Sequence, residues 1–302
     1  MESLRHIVCA ALIACALALE VPAAGWAPGG FPLSRSVARV EVRPGNNMPI
    51  VDCEIDGVPC RLLLDTGATH TTLDETFVKT RLPGKQLSKV MLGGVTNVTL
   101  VPSLTHADVF KVGNALFSDL DVMVLDLSHL SIPVGERLDG ILGMNIIGAT
   151  RTIISFSKGE VLMGLDASYR EGFEPVRRVK LYDPFTITLN TAGGTEVIVD
   201  SGSTFTLLPN SANWPTQESE SAAIGAADVN QHLTIGAKRG KPGELDLGGV
   251  KVPVRPLVLE NPAEKQGRIG ADSLFGFDML IERMSIGIRN KTEASCEATE
   301  TK

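Results

Sequence analysis

One segment of this chain occurs twice. Residues 61–73 read Arg-Leu-Leu-Leu-Asp-Thr-Gly-Ala-Thr-His-Thr-Thr-Leu, and residues 196–208 read Glu-Val-Ile-Val-Asp-Ser-Gly-Ser-Thr-Phe-Thr-Leu-Leu. Each runs three apolar residues, an Asp, a hydroxyl residue, a Gly, a small residue and a Thr, then a strand-like tail. A second pair follows in the same order at nearly the same distance: Gly-Ile-Leu-Gly-Met-Asn over 140–145 and Gly-Arg-Ile-Gly-Ala-Asp over 267–272. Two recurrences in one order predict duplicated halves. The first spans about 35–168 and the second 181–290, joined by a charged, Pro-containing linker at 169–180. A length of 302 residues agrees with two such units.

The halves read as mainly β. From residue 48 onward, short apolar runs alternate with Gly, Pro, Asn and Asp at intervals of about 8–12 residues. Aromatics are only 5%, so Val, Ile, Leu and Thr must build the core. Each half opens with a hairpin feeding its Asp-bearing strand, 50–64 around Asp56-Gly57 and 185–199 around 190–194. The stretch 211–230, rich in Ser, Ala, Glu and Gln, reads as a surface insertion, and 291–302 as a frayed polar tail. Net charge is -7 with no Lys/Arg stripe, which argues against a nucleic-acid partner.

Residues 1–24 carry Arg5, an apolar run from Ile7 to Leu19 and a small-residue exit at Pro22-Ala23-Ala24, the features of a signal peptide. The chain is therefore expected to be exported, periplasmic or secreted. Leu12-Ile13-Ala14-Cys15 also resembles a lipobox, so a lipid anchor on Cys15 stays open beside plain cleavage. No later segment offers eighteen uninterrupted apolar residues, so no transmembrane span is expected after the signal. Cys53 and Cys60 flank Asp56-Gly57 and face each other across the hairpin, open either to a disulfide or to two free thiols. No Cys/His spacing suggests a metal, and no cofactor is implied.

An Asp placed directly after Leu62-Leu63-Leu64, or after Val197-Ile198-Val199, sits at the end of a buried strand. A carboxylate is costly there unless something compensates. Thr66 or Ser201 supplies a hydroxyl, and Gly67 or Gly202 lets the backbone turn tightly and aim its N–H groups inward. If the two turns meet, two carboxyl groups share one site and hold one proton between them. One then deprotonates a water while its protonated partner polarises a carbonyl.

Asp65-Thr66-Gly67-Ala68-Thr69, Asp200-Ser201-Gly202-Ser203-Thr204 and the two later Gly-containing loops resemble the pepsin/retropepsin superfamily of aspartic proteases. The hairpin and Asp-Thr-Gly pattern is most similar to bacterial retropepsin-like proteins, whereas two lobes in one chain is a pepsin-like layout. The resemblance covers about 38–290. It implies a bilobal fold of two retropepsin-like β-barrel lobes related by a pseudo-twofold axis, a polypeptide substrate in the cleft, no metal and no cofactor. Asp65 and Asp200 carry over as catalytic residues. Thr66, Gly67, Thr69, Ser201, Gly202, Ser203 and Thr204 carry over as support for the two loops. Because the second half supplies the partner lobe, a monomer suffices. Only Ser203, not Ala68, can hydrogen-bond its neighbouring carboxylate, so Asp200 is expected to hold the charge and Asp65 the proton.

Family members close a hairpin flap over the substrate. The candidate here is 90–99, turning at Gly93-Gly94. It offers no flap tyrosine, a departure from pepsins. Arg268 is another departure, standing where the second loop usually has an apolar residue; it suggests a more polar rim. Asn145 and Asp272 occupy matched positions after the loop glycines and are expected to support them. A Ser-His-Asp hydrolase is the first rival, but none of His70, His106, His129 and His232 is followed by Gly, and no Gly-Thr-Ser helix start occurs. The second rival is an envelope protein of pepsin fold that binds polypeptides without cutting them.

Overall fold

In the computed structural model, the described residues are 11–13, 38–45, 48–89, 103–130, 137–165, 167–177, 186–228, 232–282 and 285–290. They are mainly β, as the turn rhythm predicts.

The first half is organised around a closed ring of six strands. Val58–Leu64 pairs with Met48–Ile55 on one side and Gly140–Leu142 on the other. From there the order continues through Thr72–Asp74, Ala115–Leu125 and Ser103–Val112, which returns to Met48–Ile55. Closure removes both free sheet edges at once. The opening turn is the predicted one: Asp56 (φ 50) and Gly57 (φ 81) both adopt left-handed backbone, as a two-residue hairpin requires. Val51, Leu62, Leu64, Leu73, Phe77, Phe110, Phe117 and Val122 are buried together in the core of this half.

The second half repeats the order of pairings. Glu196–Val199 lies between Thr188–Asn190 and Gly267–Ile269. The run then passes through Leu207–Leu208, Leu257–Leu259 and His232–Gly240. Strand senses also match. In each half the Asp-bearing strand is parallel to the strand that precedes the short helix, 144–147 or 271–274.

Three findings differ from, or add to, the sequence reading. The stretch 211–230 is not a plain insertion: Thr216–Asp228 is a strand paired with His232–Gly240. Ser, Ala and Glu have little β preference, so only a partner strand reveals it. Within the linker range, Glu174–Arg177 pairs with Ser285–Asn290. Ala11–Ile13, inside the signal-like segment, pairs with Ala226–Asp228 at the sheet edge.

A second run of strands ties the halves together. Ala38–Gly45 pairs with Met48–Ile55 of the ring and, on its other side, with Glu160–Met163, which pairs with Thr152–Ser155. Thr152–Ser155 pairs in turn with Phe277–Ile281 of the second half. The junction is also polar. Asp278 accepts from Ser155 Oγ at 2.6 Å and from Arg289 Nη2 at 2.9 Å, while Glu282 accepts from Arg151 and Arg170, both at 2.7 Å. No helix among the described residues is long and apolar enough to cross a membrane.

Candidate active site

Asp65 and Asp200 end their strands and are both fully buried. Each peptide N–H is taken by the neighbouring parallel strand: Asp65 N–H donates to Leu142 O and Asp200 N–H to Ile269 O, both at 3.0 Å. The two turns therefore leave their sheets at matched points.

They then grip each other. Thr66 Oγ1 donates to Val199 O at 2.8 Å and accepts from Ser201 N–H at 3.0 Å. In return Ser201 Oγ donates to Leu64 O at 2.7 Å and accepts from Thr66 N–H at 3.0 Å. Four hydrogen bonds thus cross between turns 135 residues apart. All are buried, where an unmade bond would be costly. A hydroxyl is needed at both positions because each must give one bond and take another.

The glycines complete the approach. A methyl group on Gly67 would lie 2.4 Å from Asp200 Cγ, and one on Gly202 would lie 2.4 Å from Asp65 Cγ. Each carboxyl group is thus seated against the other turn's glycine, and no side chain fits between. Asp65 Oδ1 accepts from Gly67 N–H at 2.8 Å and Ala68 N–H at 3.1 Å. Asp65 Oδ2 and Asp200 Oδ1 are buried and meet no hydrogen-bond donor among the described residues. Burial, and then the charge of Asp200, pushes the Asp65 carboxyl well above the usual carboxylate range, against the pull of the two N–H donors.

The outer braces are duplicated as well. Asn145 Oδ1 accepts from Thr71 N–H (2.7 Å) and Oγ1 (2.8 Å). Asp272 Oδ1 accepts from Thr206 N–H (2.9 Å) and Oγ1 (2.8 Å). Thr71 Oγ1 and Thr206 Oγ1 also accept from Gly143 and Gly270 N–H, both at 3.1 Å. These bonds tie each Asp turn to the short helix behind it. Burial raises the Asp272 carboxyl despite its hydrogen bonds. Thr69 and Thr204 carbonyls accept from the Asn145 and Asp272 N–H groups, at 3.1 and 3.3 Å. Thr69 Oγ1 lies 2.8 Å from His70 Nδ1, and burial brings that imidazole down to about 4.

Two side chains behave differently from the sequence reading. Ser203 Oγ donates to Phe205 O at 2.8 Å, within its own loop, and leaves Asp200 alone. The partner of Asp200 is instead Arg268, whose Nη1 donates to Oδ2 at 2.9 Å. Arg268 is 15% exposed and Asp200 0%, so this is an inward ion pair rather than a polar rim. Thr71 and Thr206 were missed as site residues, although they hold the same place in the repeated segment.

Gly93 and Gly94 lie outside the described residues. Cys53 and Cys60 sit opposite each other in register as buried free thiols, both pushed up chiefly by burial. Among the described residues, no group of three or more His, Cys, Asp and Glu is placed to hold a metal ion.

No curated protein matches the chain. Residues 51–146 match a protein-family model described as aspartyl protease. That range holds the first hairpin, Asp65-Thr66-Gly67 and Asn145, and over it the chain is similar to the aspartyl proteases.

Proposed function

We propose that the chain is an exported aspartic endopeptidase, with two lobes related by a pseudo-twofold axis and Asp65 and Asp200 as its catalytic residues. The observation that carries this reading is the reciprocal grip of Thr66 and Ser201, which seats two buried carboxyl groups against each other's glycines. Two carboxyls so placed retain one proton between them. The ionised one takes a proton from a water as its oxygen adds, as hydroxide, to the scissile carbonyl carbon. The protonated one hydrogen-bonds the carbonyl oxygen as it gains charge. Collapse of the tetrahedral intermediate sends a proton to the leaving amine and breaks the C–N bond. No covalent enzyme intermediate is needed.

The second half would complete the site in cis, so a monomer suffices. The segment 1–24 would direct export and be removed, with Cys15 as the alternative point of lipid attachment. Incubation with unfolded casein tests the central claim. The unsubstituted protein is expected to generate fragments that an Asp65→Asn/Asp200→Asn double variant does not. Equal fragment patterns would remove the protease reading and leave polypeptide binding without cleavage.

A further inference from the structure

Position 268 is where the two halves part company. Its counterpart in the repeat, Ile141, is buried in an apolar cluster with Leu63 and Ala68 beneath the Asp65 turn. Arg268 instead sends a guanidinium to Asp200 Oδ2 at 2.9 Å. The carboxyl groups therefore have unequal partners. Asp65 has two neutral N–H donors on one oxygen, and Asp200 has a full positive charge. Hydrogen bonds from an ionised donor are roughly twice as strong as neutral ones, and a charge this shielded from water is weakly screened.

Resting on the endopeptidase reading, we infer that Arg268 is a positioning residue that assigns the roles within the pair, holding the negative charge on Asp200 and leaving the proton on Asp65. Asp200 then acts as base toward the water and Asp65 as acid toward the carbonyl. Asp200 Oδ2 is engaged by Arg268, and Oδ1 meets no hydrogen-bond donor among the described residues. Arg268 also favours the singly ionised pair over the doubly protonated one, so hydrolysis persists to lower pH than it would without the guanidinium.

Among the described residues, the surrounding charges are few. The strand Gly267–Ile269 contributes Arg268 alone, and Leu207–Leu208 contributes none. Glu196–Val199 brings Glu196, whose Oε2 lies 3.5 Å from Gln266 Nε2. The helix Ala271–Leu274 brings Asp272, engaged by Thr206. The first half brings Asp65 and, five residues on, His70, which burial keeps neutral above about pH 4. Arg268 is thus the charge set against Asp200.

The test compares the unsubstituted protein with Arg268→Met and Arg268→Lys. In kcat/KM against pH, the acid limb is expected to move up by about 1–3 pH units with Met and to return most of the way with Lys. An equal loss of rate at every pH, with the limb in place, overturns the inference. A second readout does not need turnover: aspartate labelled with carbon-13 at Cγ, followed by NMR. The carboxyl still protonated after the pair has lost its first proton should vanish in Asp65→Asn, and should cease to belong to Asp65 alone in Arg268→Met. A proton found on Asp200 in the unsubstituted chain overturns the inference even if the Met variant does not fold. If the label puts the proton on Asp65 but casein is not cut, the endopeptidase reading fails and the charge assignment stands.

Discussion

Asp65 is held in a conflict between its burial and its charge. Its carboxyl is raised in the folded state by burial and by Asp200, while in the unfolded chain it titrates normally. Between those two values the folded protein binds a proton that the unfolded chain has released, so this residue costs stability as pH rises through that window. Asp65→Asn keeps an oxygen for the Gly67 and Ala68 N–H groups and removes the charge. It is therefore expected to raise Tm at pH 7, with the difference from the unsubstituted protein vanishing near pH 3, while hydrolysis is lost; scanning calorimetry across pH checks it. His70 works in the opposite sense. Its folded value of about 4 lies below the ordinary 6.5, so the stability it protects is whole above pH 6.5 and drains away as pH falls toward 4. The loss is on the order of 3 kcal/mol. His70→Gln should flatten that part of the Tm profile, and a slope equal to that of the unsubstituted protein would contradict it.

At the scale of elements, the two Asp turns act as one clasp. Thr66→Ala strands Val199 O and Ser201 N–H in a dry interior. A cost of about 1–3 kcal/mol per unsatisfied group follows. Urea unfolding of Thr66→Ala, Ser201→Ala and the double variant should show the double costing less than the sum of the singles. Gly67→Ala brings a methyl group to 2.4 Å from Asp200 Cγ and must push the carboxyls apart. Hydrolysis should fall by about 100-fold or more, with the fold checked by circular dichroism. The clasp was legible in the sequence because the repeat supplied it: Asp, hydroxyl and Gly recur in one spacing, and so do Asn145 and Asp272. The turn at Asp56-Gly57 was legible because only certain residues accept its backbone angles. The target of Arg268 was not. Strand alternation says which face a side chain leaves from, but not which group of another segment lies within reach. The hydroxyl of Ser203 was likewise assigned to the nearer carboxylate, although it donates to the carbonyl of Phe205. The strand Thr216–Asp228 escaped because its identity lies in its partner, not in its composition.

Over the whole molecule, the seam that brings the two acids together is also structural. Thr152–Ser155 and Phe277–Ile281 share a ladder, and Ser155, Ser157 and Arg289 converge on Asp278. The halves should therefore unfold together. In a Trp26→Phe variant the tryptophan fluorescence comes from Trp214 alone and reports on the second half. Circular dichroism reports on both halves. Coincident midpoints are expected for the two probes, and a separate Trp214 transition would show that the seam is weak.

The carbonyl that Thr66 binds belongs to Val199, and the strand Ser285–Asn290 pairs with Phe277–Ile281. A ribosome that has released only the first Asp turn has made neither. Whatever this pair of acids can cut, the growing chain itself is spared until the second Asp turn has also been made, because the tool is assembled from pieces far apart along the chain.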